Sequence, residues 1–130
     1  MTLGLDTSVV LRLLTGLPAN QSRKAHERLR SAHQRGEKIL VTDIVLAEAY
    51  FALQHHYGVA KAAARAALHA MATSGVVEVD PPSAVAVLAP ATGARLVDRL
   101  VHARHTGAGA TTLTFDRAMA ALATAERLRG

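Results

Sequence analysis

The chain contains no cysteine and no tryptophan, and only 3% of its 130 residues are aromatic. The absence of cysteine excludes disulfides, thiolate metal sites and cysteine nucleophiles, and it is compatible with a cytoplasmic protein. So few aromatic side chains argue against an aromatic-rich β-sandwich and against extensive base stacking on a nucleic acid. No uninterrupted apolar run reaches the roughly 18 residues of a membrane span, and no charged leader precedes the first apolar stretch. Low-complexity sequence, internal repeats and linkers are also missing, so residues 1–130 are expected to form a single domain.

Half of the residues are hydrophobic, and alanine, leucine and valine supply most of that mass. That composition favours helices packed on a sheet. Fifteen lysines and arginines against ten acids leave a formal charge of +5, with arginine far commoner than lysine. The sequence pI is near 10.4. Such a balance favours phosphate-bearing or acidic partners without choosing between them.

The apolar run before Asp6 predicts a strand over residues 3–6, and Thr7 and Ser8 are placed to cap a helix carrying Val9, Val10, Leu13 and Leu14. Gly16 and Pro18 end that helix. A polar helix is predicted over 21–35, with Ala25, Leu29 and Ala32 on one face. The β-branched run 39–42 predicts a strand, and Asp43 is an N-cap candidate for a helix over 44–56. Further helices are expected over 59–72, 83–88, 94–105 and 117–128, and strands over 76–79 and 111–115. Strands that alternate with helices imply an α/β architecture with a mostly parallel sheet covered on both faces.

The ten acids can be weighed one by one. Asp6 and Asp116 lie at carboxyl ends of predicted strands, the edge where open α/β sheets bind ligands. Glu48, within Ile44-Val-Leu-Ala-Glu-Ala-Tyr-Phe, and Asp98, within Leu96-Val-Asp-Arg-Leu-Val, stand among apolar neighbours, where an isolated carboxylate is costly. Each alone has an ordinary explanation in an ion pair with Arg12, Arg95, Arg99 or Arg104. Converging together, they would repel one another unless a divalent cation such as Mg²⁺ or Mn²⁺, suited to oxygen ligands, were bound.

Four segments carry a resemblance to a known family: Leu5-Asp-Thr-Ser-Val-Val, Asp43-Ile-Val-Leu-Ala-Glu, Leu96-Val-Asp-Arg-Leu-Val and Thr112-Leu-Thr-Phe-Asp-Arg. In this order, and over nearly the whole chain, the sequence resembles PIN domains, and more narrowly the VapC toxins of type II toxin–antitoxin pairs. The resemblance implies a three-layer α/β/α sandwich whose central, mostly parallel sheet has about four strands. It also implies a cytoplasmic, Mg²⁺-dependent endoribonuclease, with Mn²⁺ as a substitute, that dimerises and is inhibited by a VapB-type antitoxin. Asp6, Glu48, Asp98 and Asp116 would form its acidic quartet, with Asp6, Asp98 and Asp116 on the metal and Thr7, Ser8 and Thr114 as supporting hydroxyls. His102 replaces a residue that is usually small in the family. Helical spacing aligns it with Asp98 and His105, where it would bond a ligating carboxylate, contact RNA or simply occupy the helix surface, the last being the ordinary place of an isolated histidine.

Two other classes compete. A phosphoacceptor domain also places an Asp after its first strand, but Ser8 stands where a dehalogenase-like site needs a second Asp, and no lysine follows Lys61 as a receiver domain requires. A catalytically inactive PIN-like binding module is the second alternative.

Overall fold

The computed structural model describes residues 1–90 and 93–130. In chain order the elements are β1 (Thr2–Gly4), α1 (Thr7–Thr15), α2 (Ala19–Gln34), β2 (Lys38–Thr42), α3 (Asp43–His55), α4 (Lys61–Ala72) and β3 (Glu78–Asp80). They continue with α5 (Ala84–Val87), α6 (Leu96–Gly107), β4 (Thr112–Thr114), α7 (Arg117–Ala120) and β5 (Ala125–Arg127). Strands β1, β2 and β3 form one parallel sheet in that order, with Leu3 opposite Ile39 and Val41 opposite Val79. The expected α/β sandwich is present. Among the described residues its strands divide into two sheets, because β4 pairs in parallel with β5 and with no other strand.

β5 falls inside the helix predicted for 117–128. The alanine-rich sequence has helical propensity, yet α7 stops after one turn and Thr124 adopts a left-handed φ of 57°. Backbone pairing explains the choice. Thr112 N–H donates to the Thr124 carbonyl and Leu128 N–H to that of Thr114, so the terminal segment satisfies β4 where a solvated helix would leave it unpaired. Propensity is a weak prior against such tertiary hydrogen bonding.

The two predicted caps also differ. Asp6 itself occupies the N-cap position of α1, and the hydroxyls of Thr7 and Ser8 bond to Glu48 and to Asp6 and do not cap the helix. On α3, Thr42 is the N-cap and Asp43 the first helical residue.

The core joins α1, α3, α4 and α6 to the three-stranded sheet through Val10, Val41, Leu46, Leu68 and Leu96, all essentially inaccessible to water. Helix α3 is apolar on almost every side, but only Leu46, Ala49 and Leu53 of its aliphatic residues are buried; Ile44 is 65% and Phe51 59% exposed. Periodicity could not separate the two faces, since both are apolar. Among the described residues no helix is long and apolar enough to cross a membrane.

The asymmetry of α3 has a measurable consequence. Leu46→Ala should lower the free energy of unfolding by about 2–5 kcal/mol, because it leaves a cavity in a packed interior. Ile44→Ala, one turn away from the core face, should stay within about 0.5 kcal/mol. Urea denaturation of the two variants provides the comparison.

Candidate functional site

The neighbouring parallel strands β1 and β2 end side by side, and each leads directly into a helix. Asp6 follows β1 and heads α1, while Glu48 lies in the second turn of α3, after β2. Both carboxylates are exposed, Glu48 on the same outward side of α3 as Ile44 and Phe51. The apolar neighbours of Glu48 therefore do not bury it.

Thr7 links the two acids. Its Oγ1 donates to Glu48 Oε1 at 3.2 Å, while its own chain neighbour is Asp6. Ser8 Oγ donates to Asp6 Oδ2 at 2.9 Å. That hydroxyl bond is the chief reason the Asp6 carboxyl is held below its ordinary pKa, and the backbone N–H of Thr7 adds to it. Among the described residues, ion pairs form at Glu37 and Asp43, and at neither Asp6 nor Glu48. Each of the two acids thus accepts a bond from a hydroxyl and, among the described residues, takes part in no ion pair.

Asp98 and Asp116 make other contacts. Asp98, half-buried in the first turn of α6, lines a cavity of about 810 Å³ between α3, α4 and the start of α6. Asp116 caps α7, its Oδ1 accepting the Met119 N–H at 2.7 Å, and its own N–H donates to Thr114 Oγ1 at 3.0 Å. Thr114 is therefore a support of Asp116, in a loop turn at the end of β4. Among the described residues no three or more His, Asp or Glu side chains are placed to hold one metal ion. The Asp6–Glu48 pair nevertheless fits a hard divalent cation in its chemistry, since Mg²⁺ commonly takes one or two carboxylates and fills its remaining positions with water or phosphate oxygens.

His102 turns toward β4. Its Nδ1 lies 3.0 Å from Thr112 Oγ1, and His105 Nδ1 lies 2.8 Å from the same atom. Thr112 is almost fully buried, so one hydroxyl fastens two residues of α6 to β4. Another contact without a local sequence signal is the pair Asp43–Arg104. Arg104 Nε and Nη2 donate to Asp43 Oδ2 and Oδ1 at 2.9 and 2.6 Å, and Ile44 N–H donates to Oδ1 at 2.9 Å. The Asp43 side chain is 8% exposed, and the bond to it holds the guanidinium still more firmly protonated.

A family model described as PIN domain matches residues 4–125. No curated protein and no solved structure matches the chain significantly.

Ser8 provides a direct check on the electrostatics of the pair. Ser8→Ala should move the Asp6 titration midpoint upward, toward the usual carboxylate range, when its carboxyl carbon is followed by NMR. The sign for stability follows from linkage. A folded-state pKa below the unfolded one stabilises the fold above the unfolded pKa, and that contribution is lost as pH falls through the folded value. The variant should accordingly unfold at slightly higher pH on acidification. An unchanged midpoint would assign the depression to the Thr7 N–H instead.

Proposed function

The chain belongs to the PIN-domain family, whose members are generally nucleases acting on RNA, and on that premise we propose that it is a metal-dependent endoribonuclease that serves as the toxin of a type II toxin–antitoxin pair. The observation that carries the reading is the Thr7 bridge. It holds Glu48 beside a strand-end Asp6 whose carboxyl Ser8 holds below its ordinary pKa, and among the described residues neither acid is in an ion pair. An ion pair serving stability alone would have placed an arginine there.

In this reading Asp6, Asp98 and Asp116 hold Mg²⁺, or Mn²⁺ in its place, with Asp98 and Asp116 assigned from their positions in the matching motifs. The bound ion would supply Lewis acidity toward a phosphate oxygen and lower the pKa of water. The chain's own contribution is to set the carboxylates. Ser8 and the Thr7 amide favour the anionic form of Asp6. Glu48, fixed in orientation by the Thr7 hydroxyl, accepts the proton of the water that attacks phosphorus. The P–O bond to the leaving sugar oxygen then breaks, and that oxygen takes up a proton from solvent. The positive net charge draws the phosphate backbone to this edge. A VapB-type antitoxin would inhibit the enzyme, which would act as a cytoplasmic homodimer within one domain spanning residues 1–130.

A second reading has its own support. Asp116 commits an oxygen to capping α7, and Asp98 faces a separate cavity, which suits a PIN-like module that binds a partner without cutting RNA. Calorimetry with Mn²⁺ separates the two, because the inactive module should show no metal binding.

Activity on a single-stranded RNA with Mg²⁺ should drop on the order of 10²-fold or more in Asp6→Asn and in Glu48→Gln. Comparable losses in Asp98→Asn and Asp116→Asn would establish the quartet, whereas full activity in both would restrict the site to the first two acids. Thr7→Val should lower cleavage roughly 10–100-fold with metal affinity little changed, as expected for a residue that orients the proton-accepting Glu48 from behind. Undiminished metal-dependent cleavage by Asp6→Asn would sink the proposal.

A further inference from the structure

The groove between α3 and α4 holds an aromatic surface that packing does not explain. Phe51 is 59% exposed, and its ring stacks at a tilt on His55 one turn later, with centroids 4.2 Å apart and 39° between planes. Both line the cavity of about 810 Å³ whose far side carries Asp98, and Lys61 and Arg95 lie exposed on its rim. Arg65 also lines it but is engaged, donating to the carbonyls of Leu88 and Val87 at 3.2 and 2.6 Å. It stiffens the floor and leaves the charge of the rim to the other two. Phe51, Glu48 and Ile44 share the outward side of α3, so the ring stands one turn beyond the proposed catalytic Glu48.

A flat apolar ring beside exposed cations suits an anion that is itself flat and apolar on one part. We infer that this groove seats an unpaired nucleotide of single-stranded RNA, its base against Phe51 and its backbone phosphates at Lys61 and Arg95. The inference rests on the ribonuclease reading and narrows it to strands whose bases are free to turn outward. An acidic peptide would satisfy the cations equally well, but its carboxylates make no use of the ring. Base–aromatic stacking tolerates any base, so the seat would anchor a strand next to Glu48 without selecting its sequence. The few aromatics of the chain thus matter by position.

The test measures binding of a fluorescent oligouridylate in EDTA, where hydrolysis plays no part. Phe51→Ala should weaken affinity roughly 5- to 150-fold, and Phe51→Tyr should restore most of it. Lys61→Ala and Arg95→Ala should each lower the salt dependence of binding by about one unit of slope. Inorganic polyphosphate, a polyanion without bases, should bind wild type and Phe51→Ala alike. Because Phe51 is exposed, both variants should melt with the wild-type protein, and Ile44→Ala on the same helix face serves as a control that keeps full affinity.

Three results would overturn the groove: equal RNA affinity in Phe51→Ala, tighter capture of polyglutamate than of RNA with the same Phe51 dependence, or loss of a dimer in sedimentation with RNA affinity unchanged. Failure of the nuclease reading looks different. Phe51-dependent RNA binding by a chain that cuts nothing in Mg²⁺ or Mn²⁺ would retain the seat and remove the enzyme.

Discussion

The bidentate pair between Asp43 and Arg104 is the contact on which the arrangement of the molecule turns. Asp43 follows β2 immediately and is nearly excluded from water, so its charge must be met, and the nearest fork of donors that meets it comes from α6. A guanidinium matches a carboxylate in two bonds of fixed geometry, which locks the rotation of α6 about its own axis as well as its distance from α3. Everything downstream inherits that setting. Asp98 lines the α3–α4 groove from the first turn of the same helix, whose Leu96 and Leu100 are buried in the core. His102 and His105 then reach Thr112, and β4 is carried with its partner β5 at the end of this chain of contacts.

The parts of the fold visible in the sequence were those governed by neighbours along the chain. Strand β1, helix α1, strand β2 and helix α3 follow from apolar runs and polar stops, and the segments found for them lie within a few residues of their predicted ranges. Non-local pairing was less legible. Arg104 and Asp43 are 61 positions apart, and nothing local distinguishes Arg104 from the other arginines near it. The segment after Ala120 reads as helix because alanine favours helices, and it becomes a strand because β4 needs hydrogen-bond partners. A pattern of residue types records preferences, while backbone satisfaction is decided only once the elements meet.

The candidate site divides along the same line. Asp6, Thr7 and Ser8 are adjacent in sequence, so their mutual bonds follow from one turn of helix at a strand end. Glu48 joins them because β1 and β2 are neighbours and their helices start together. Its apolar surroundings suggested a buried charge, and the structure resolves this by exposing one side of an almost wholly apolar helix. That exposed side then acquires a use, since a carboxylate and an aromatic ring one turn apart face the same solvent. Asp98 and Asp116 are carried instead by α6 and by the end of β4.

Thr112 adds a chemical asymmetry. A hydroxyl has a single hydrogen, so it can donate to only one of the two Nδ1 atoms that approach it, and the other ring must bring its own hydrogen to the bond. When both rings are neutral, an imidazole that carries its hydrogen on Nδ1 keeps a bare lone pair on Nε2, and one that accepts at Nδ1 carries N–H at Nε2. Two histidines one turn apart therefore hold different tautomers whenever the threonine is shared as donor and acceptor. They offer their surroundings one acceptor and one donor, and exchanging which is which requires each ring to move its hydrogen to its other nitrogen as well as a rotation of the hydroxyl.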